Sequence, residues 1–280
     1  MNSSLFVLVA ILAPMAGAAL LAIPVMRSRC WSIVMVAVTA LSLAVVALPQ
    51  SFTFEVPTLL IGSQFGLEPE RYVLLLVTSA IWFAGALYAS GEMRQESNRH
   101  RFAFWFLLAM AGNVGLILAQ DMINFFIFFA LMSFSAYGLV VHRGEYSSRR
   151  AGRIYMVFVV IGEVALFVGL ALSFGRTESL IIPAIGTLQP AWPELLALTI
   201  GFGIKSGLLG LHMWLPFAYP AAPTAGSAVL GGAMASAGLI GFLDFLPPGD
   251  VIAPQAGAII LALGISGALY GVLIGLTQRN

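Results

Sequence analysis

The sequence predicts an all-α polytopic membrane protein with about nine transmembrane helices. Hydrophobic residues make up 60% of the 280 positions and charged residues only 9%, against about 25% charged residues in soluble domains. The mean hydropathy is correspondingly high, at +0.98. Apolar runs of about 20 residues, the length that crosses a bilayer, recur along the whole chain.

The predicted spans are separated by short connections, which indicates a single membrane domain. The first span has no basic residue ahead of it and exceeds the apolar part of a signal peptide, so we expect it to be retained. Residues 50–71 alternate polar and apolar side chains, which predicts a short external hairpin that turns at Gly62 and Gly66. The nine runs cover residues 4–26, 31–49, 72–91, 102–120, 122–142, 154–174, 193–213, 224–246 and 251–276.

The distribution of basic residues predicts the orientation. When the spans alternate across the membrane, ten of the 13 basic residues fall on one side and only Arg71 and Arg176 on the other. Because cytoplasmic loops are enriched in Lys and Arg, the N-terminus is expected outside and the C-terminus in the cytoplasm, in the cell inner membrane. The cluster at 143–153 is expected to contact lipid headgroups. The cytoplasmic set is Arg27, Arg29, Arg94, Arg99, Arg101, Arg143, Arg149, Arg150, Arg153 and Arg279.

One basic residue lies deep inside an apolar run. Lys205 is about twelve residues from the start of the predicted span 193–213 and about eight from its end. A charged side chain near the bilayer centre costs about 3 kcal/mol even on lenient scales, which favours a functional site with a partner or water nearby. The alternative is a structural lysine whose stem reaches a helix end.

The residues after Lys205 predict an interruption of the seventh helix. Gly207, Gly210, Pro216 and Pro223 follow it within a short stretch. Backbone groups that a break exposes are tolerated at membrane depth only against protein or a water-filled cavity, and broken helices recur at transporter sites. For the prolines, an interfacial loop at the membrane surface is an equal alternative.

Several long motifs surround this region. They are Leu131-Met-Ser-Phe-Ser-Ala-Tyr137, Arg150-Ala-Gly-Arg-Ile-Tyr155, Lys205-Ser206, Leu211-His-Met-Trp-Leu-Pro216, Ala218-Tyr-Pro-Ala-Ala-Pro-Thr224 and Ser227-Ala-Val-Leu230. In this order they resemble the fifth to eighth helices of the antiporter-like membrane subunits of respiratory complex I, Mrp cation/proton antiporters and membrane-bound hydrogenases. The Pro-Ala-Ala-Pro run and the Gly-Gly-Ala-Met of 231–234 are most similar to the hydrogenase-associated branch.

The resemblance implies a role for Lys205 and also marks departures. In that family a lysine of the seventh helix pairs with a glutamate of the fifth, and their switching is taken to drive ions through a half-channel. Lys205 stands at the lysine position, whereas the glutamate position is Ala130. The lysine expected in the eighth helix is Ser236, and the often basic position before Phe245 is Asp244.

Glu163 offers another counter-ion for Lys205. At 1.5 Å per residue, both lie about 12 to 14 Å from the cytoplasmic ends of their helices. A buried ammonium without a partner is unfavourable, so we expect Glu163 to pair with it, helped by close helix approach at Gly162. The alternative is that Glu163 packs between helices or faces the lumen without contacting Lys205.

Two further residues are candidates for the ion pathway. His212 lies about two helical turns beyond Lys205 and could pass protons towards the cytoplasm, although it fits a structural role at the helix break equally well. Asp244 lies near the external end of the eighth span. Asp121, between the fourth and fifth spans, is expected to cap a helix or face solvent.

The resemblance also divides the chain. Residues 1–101 would hold helices 1–3 and the external hairpin, residues 102–246 the antiporter-like five-helix unit of spans 4–8, and residues 251–280 the ninth helix, where a second unit that is absent or separate would begin. We therefore expect the N-terminal half of such a subunit, as a fragment or as a natural half-length subunit. A single half-channel needs another subunit to complete the path.

The leading hypothesis is a membrane subunit of an energy-converting complex that contributes a proton or Na⁺ half-channel centred on Lys205, with other membrane subunits and the lipid bilayer as its partners. One alternative is a non-conducting scaffold of such a complex, and another is the membrane partner of an inorganic-carbon uptake system. No motif predicts a catalytic site of its own, a metal or other cofactor, or a nucleic-acid partner. Cys30 alone allows no intrachain disulfide. Membership of an ion-translocating oxidoreductase stays open.

Overall fold

Helices dominate the computed structural model, which describes residues 3–25, 30–46, 52–57, 62–182, 189–246 and 254–277. The predicted orientation markers Arg27, Arg29 and Arg279 lie outside these ranges. The helices are α1 (Ser3–Leu20), α2 (Trp31–Val46), α3 (Pro69–Glu92), α4 (Arg99–Leu118), α5 (Met122–Val140), α6 (Tyr146–Thr177), α7 (Trp192–Ser206), α8 (Leu215–Ala221), α9 (Thr224–Phe245) and α10 (Pro254–Thr277).

Six helices of the described residues are long and apolar enough to cross a membrane, namely α3, α4, α5, α6, α9 and α10. This supports the all-α polytopic class, while the count of nine spans stays a prediction. Helix α6 extends well beyond the predicted span 154–174. Helix α7 ends at Ser206, within the predicted span 193–213, because Gly207 adopts a left-handed conformation with φ +73°, and this is where the sequence predicts an interruption.

The core is built around α4, which packs against α1 on one side and α5 on the other. Small residues permit the close contact with α5. A β-carbon at Gly112 would lie 2.8 Å from the Cα of Met132, closer than side chains tolerate. This packing orders α5, the helix that carries both Ala130 and Ser133.

Helices α6 and α7 pack along each other, and α9 covers α7. A β-carbon at Gly201 would lie 2.9 Å from the Cβ of Leu166, and one at Gly238 would lie 2.7 Å from the carbonyl oxygen of Phe202. Gly162, by contrast, leaves ordinary space of 3.5 Å to the side chain of Ile204. Helices α6 and α7 therefore approach each other closely at Gly201, and not at Gly162 as predicted.

Helix α9 contains a π-helical turn at Leu230–Met234, which includes the Gly-Gly pair of the sequence. Its N-terminus has no side-chain cap of its own, and the carboxylate of Glu92 from α3 accepts hydrogen bonds from the N–H groups of Thr224 (2.7 Å) and Ala225 (3.0 Å). Most described side chains of helix α10 are exposed, although Tyr270 packs against the ring of His212.

Residues 50–71 contain two antiparallel strands, β1 (Phe52–Val56) and β2 (Ser63–Leu67), with Phe54 opposite Phe65. Gly62 precedes β2 with φ +93°, a conformation that suits a turn. Gly66 lies within β2, opposite Thr53, so the turn predicted there was wrong. Its missing side chain instead makes room for Gln120, whose Cγ would lie 2.9 Å from a β-carbon.

Asp121 caps α5 and joins it to β2. Its Oδ1 accepts a hydrogen bond from the N–H of Asn124 (2.9 Å), and its Oδ2 accepts one from the N–H of Gln64 (2.8 Å). Such a side-chain acceptor satisfies one of the free N–H groups at a helix start. The cap is one of the two roles predicted for Asp121, and the other, a solvent-facing side chain, was wrong because Asp121 is only 2% exposed.

Two ion pairs tie helix ends together away from the basic cluster at 143–153. Arg176, in the last turn of α6, contacts both carboxylate oxygens of Glu194 in the first turn of α7, at 2.9 and 2.8 Å. Arg71 contacts Asp244 at 2.8 Å, and its side chain also donates to the carbonyl oxygen of Ala119 at 2.8 Å. Arg71 thereby links α3, α9 and the end of α4.

We predict that Asp244→Asn lowers the free energy of unfolding by about 3 kcal/mol, because removing one member of a buried ion pair leaves the other charge uncompensated. Both side chains of the pair are at most 10% exposed. Thermal or denaturant unfolding of the purified protein in detergent measures the effect. Glu55→Gln, at an exposed acid, is the control and should change nothing. Equal stability of Asp244→Asn and wild type would contradict the prediction.

Candidate functional site

The site begins where α7 ends. Gly207 stops the helix, which leaves the last carbonyl groups of α7 without the partners that a continuing helix would supply. The indole N–H of Trp214 donates to the carbonyl oxygen of Ile204 at 2.9 Å. Trp214 itself is only 3% exposed. A side chain from the following segment therefore completes the turn that carries Lys205.

Lys205 is buried, at 6% exposure, and its ammonium reaches α5. The Nζ donates a hydrogen bond to the hydroxyl oxygen of Ser133 at 3.1 Å, and that hydroxyl donates in turn to the carbonyl oxygen of Phe129 at 2.8 Å. The Nζ also lies 5.8 Å from the centroid of the Phe129 ring, within the range of a cation–π contact. An ammonium has three donors, so its hydrogen-bonding capacity is not exhausted.

Glu163 of α6 is also buried, at 7% exposure. Neither of its carboxylate oxygens has a hydrogen-bond partner among the described residues. Its carboxylate and the Lys205 ammonium interact electrostatically. The two groups are more than 4.0 Å apart, so these two described residues form no direct ion pair. A buried carboxylate with no donor is unfavourable unless water or a proton satisfies it.

Lys205 and Glu163 line one small cavity between α5, α6 and α7, which we call the chamber. Its volume is about 10 Å³, about the space that one water molecule needs. A water at this position could bridge the carboxylate and the ammonium. The lining residues are Phe129, Ser133, Tyr155, Phe158, Val159, Gly162, Glu163, Gly201, Ile204, Lys205 and Trp214.

Sequence reasoning missed Ser133. It lies three residues after Ala130 on α5, and residues at this spacing share a helix face. The fifth helix therefore still supplies a partner for Lys205, although it is a hydroxyl instead of a carboxylate. The signal was present in the Leu131-Met-Ser motif, but nothing in a serine alone predicts that it accepts a hydrogen bond from a lysine 72 positions later.

Tyr155 and Trp214 were also missed as parts of the site. The Tyr155 hydroxyl donates to the carbonyl oxygen of Ser133 at 2.9 Å, which ties α6 to α5. Its ring lies 5.1 Å from that of Trp214 in an edge-to-face arrangement. Both belong to motifs that the sequence presented as family resemblance, Arg150–Tyr155 and Leu211–Pro216.

The structure places two predicted pathway residues away from the chamber. His212 lies in the segment after α7, where its Nδ1 accepts a hydrogen bond from the N–H of Gly210 at 3.2 Å and its ring lies 5.2 Å from that of Tyr270. Asp244 pairs with Arg71, and neither it nor His212 lines the chamber.

The residues predicted at the helix break have distinct positions. Gly207 and Gly210 have φ of +73° and +85°, values that glycine adopts without strain. Pro216 lies in the first turn of α8, where its missing N–H is not needed, and Pro223 directly precedes α9. Ser236, at the position of the family's lysine, donates to the carbonyl oxygen of Ala233 at 2.6 Å.

Chemically, the chamber combines one group that donates protons, one that accepts them, and space for one water. Lys205 and Glu163 are the ionisable members, and Ser133 orients the ammonium. Proton transfer between such groups needs either direct contact or a single bridging water. The geometry is therefore compatible with proton transfer between the two groups through one water.

The family model described as NADH:quinone oxidoreductase/Mrp antiporter, transmembrane, matches residues 119–280. Hydrogenase-4 component B of Escherichia coli K12 is 30% identical over 216 residues, which is 74% of this chain and 32% of that protein. A Na⁺/H⁺ antiporter protein of Bacillus subtilis is 26% identical over 250 residues, 84% of this chain and 51% of the relative.

Two solved structures share the fold. The membrane-bound sulfane sulfur reductase, an archaeal respiratory membrane complex, contains a chain that matches with a TM-score of 0.75 at 24% identity, covering 85% of this chain and 52% of the other. The Mrp complex from Dietzia sp. DQ12-45-1b matches with a TM-score of 0.74 at 22% identity, covering 88% and 49%. The chain thus spans about a third to about half of its relatives' length, and it belongs to the NADH:quinone oxidoreductase/Mrp antiporter family of membrane proteins.

Proposed function

We propose that this chain is a membrane subunit of a multi-subunit energy-converting complex and that it contributes a half-channel for protons or Na⁺ centred on Lys205. One observation carries the proposal. A buried ammonium and a buried carboxylate without a hydrogen-bond donor among the described residues line the same water-sized chamber. Ionisable groups in such positions are costly, and in membrane proteins they mark ion pathways.

In this proposal Glu163 supplies the negative charge of the family glutamate, whose position Ala130 occupies in this chain. The counter-charge then comes from α6 instead of α5, while Ser133 retains the contact between α5 and Lys205. An ion that reaches the chamber would change the electrostatic attraction between the Glu163 carboxylate and the Lys205 ammonium. Lys205 would respond by strengthening or releasing its hydrogen bond to Ser133. Such a response is the elementary step of a half-channel.

The partners follow from the relatives. These proteins are named as parts of hydrogenase, antiporter and quinone oxidoreductase assemblies. We infer that this chain also lies beside other membrane subunits, which complete the path across the bilayer. We further propose the inner membrane as its location, with the N-terminus outside, since most basic residues fall in loops on one side of the alternating spans.

A scaffold role is the competing proposal, and Ala130 and Ser236 favour it. Each stands where the family has an ionisable residue, so part of the usual relay is absent. A scaffold would tolerate neutral residues at Lys205 and Glu163 without loss of flux. Ion flux therefore distinguishes the two proposals.

We predict that Lys205→Met and Glu163→Gln each lower ion flux by at least about tenfold, because proton transfer by a positioned group contributes about 10² or more. The complex that contains the chain is reconstituted in liposomes, and flux is followed with a pH-sensitive dye and a Na⁺-sensitive dye. Glu178→Gln, at an exposed glutamate, is the matched control and should retain full flux. Unchanged flux in both variants would support the scaffold instead.

The same two variants test the pairing. In a double-mutant cycle, the effects on unfolding free energy should deviate from additivity by about 0.5 to 3 kcal/mol, since neighbouring charges that share water are coupled. We expect the double variant to be less destabilised than the sum of the single variants. Unfolding in detergent measures this. Additive effects would mean that Glu163 and Lys205 are independent.

Ser133 gives a sharper prediction. A hydrogen bond to a charged group contributes about 1.5 to 3 kcal/mol, so Ser133→Ala should lower flux by about tenfold or more. Ser133→Thr keeps a hydroxyl and should restore flux, which a purely structural role would not require. Ser135→Ala, at another buried serine of α5, is the control. Loss of flux in Ser133→Thr equal to that in Ser133→Ala would contradict the role of the hydroxyl.

A further inference from the structure

A second, larger cavity lies on the side of the arginine cluster, and we call it the vestibule. It has a volume of about 390 Å³ and lies between the start of α6 and helix α8. Its lining includes Arg143, Arg150 and Ala151 from the α5–α6 region and Phe217 and Pro220 from α8. Unlike the chamber, it is lined largely by exposed residues.

Two aromatic residues of the chamber lining, Tyr155 and Trp214, lie close in the chain to residues that line the vestibule. Tyr155 lies four residues after Ala151, one helical turn further along the same face of α6. Trp214 directly precedes α8, whose residues line the vestibule. Tyr155 and Trp214 both line the chamber, are 1% and 3% exposed, and pack edge to face at 5.1 Å.

Three contacts hold the Trp214 side chain. Its indole N–H bonds the carbonyl oxygen of Ile204, the residue next to Lys205. Tyr155 packs against one part of the ring, and Tyr219 of α8 lies 6.0 Å away in a second edge-to-face contact. Because α7 has ended, the Ile204 carbonyl has no intrahelical partner, so a shift of the Lys205 turn would move or release Trp214.

We propose that Tyr155 and Trp214 form the barrier between the vestibule and the chamber, and that displacement of Trp214 opens the path by which ions reach Lys205 and Glu163. The role in ion access rests on the proposed function of the chamber, whereas the barrier itself is a property of the packing. The bond between Trp214 and Ile204 couples the barrier to the helix turn that carries the lysine. Trp214 is therefore a positioning and gating residue.

The experiment measures access to the chamber by cysteine labelling. The chain has one cysteine, so a Cys30→Ser background leaves the introduced thiol as the reporter. Val159→Cys places a thiol in the chamber lining, and Ser147→Cys places one in the vestibule. A membrane-impermeant methanethiosulfonate reagent is applied from the side of the arginine cluster to the reconstituted complex.

We expect Val159→Cys to react slowly with Trp214 present and at least about tenfold faster in Trp214→Ala, because the opened packing admits the reagent. Trp214→Phe, which keeps a smaller ring but loses the N–H donor, should give an intermediate rate. Ser147→Cys should react equally in every background. Trp192→Ala, at an exposed tryptophan of α7, is the matched control and should leave the chamber closed.

Fast labelling of Val159→Cys with Trp214 intact would overturn the barrier, and so would equally slow labelling in Trp214→Ala. If Trp214→Ala does not accumulate in membranes, Trp214→Leu is used in its place, and the same faster labelling of Val159→Cys is expected. Labelling does not depend on ion flux, so the two proposals can fail separately. Suppose that neutral residues at Lys205 and Glu163 leave flux unchanged while Trp214→Ala still exposes Val159→Cys. The proposed barrier is then supported, and the proposal that this chain conducts ions is wrong.

Discussion

The burial of one ammonium group governs the arrangement of the surrounding helices. Lys205 can be held at 6% exposure only if its donors meet acceptors, and α5, α6 and α7 converge on that requirement. Ser133 supplies a hydroxyl oxygen, Phe129 an aromatic face and Glu163 a negative charge across a water-sized space. The end of α7 directly after the lysine adds free backbone groups, which Trp214 satisfies in part. The site residues and the helix break therefore act together to stabilise one buried ammonium group.

The remaining charges are distributed in a way that fits a membrane. Arg71 and Arg176 both form ion pairs within the fold, with Asp244 and Glu194. Their charges are therefore largely compensated by internal partners. The described arginines at the opposite end, such as those of the 143–153 cluster, are mainly exposed. The positive-inside rule counts basic residues in the connecting loops, so the proposed orientation rests on that count and not on these ion pairs.

The sequence predicted the fold class and the burial of Lys205, because both follow from the composition of long apolar runs in which a single charge is placed. It also favoured a break after Lys205, since glycine and proline act locally. It could not predict that Ser133 would meet the lysine, because a helix pattern gives the face of a residue but not the neighbour that the face meets. The pairing of Asp244 with Arg71 was missed for the same reason, as the two lie 173 positions apart in the chain. Gly162 was assigned a close contact that the packing gives to Gly201.

The position of Glu163 constrains how a charge relay could work here. In the family pattern the two charges belong to the fifth and seventh helices, whereas here they belong to α6 and α7. These helices are joined by the contact of Gly201 with Leu166 and by the ion pair of Arg176 with Glu194. Their relative movement is therefore restricted, and a change in distance between the charges must come from side-chain rotation or from water in the chamber. Ser133, on the separate helix α5, is then the contact best placed to break when Lys205 moves.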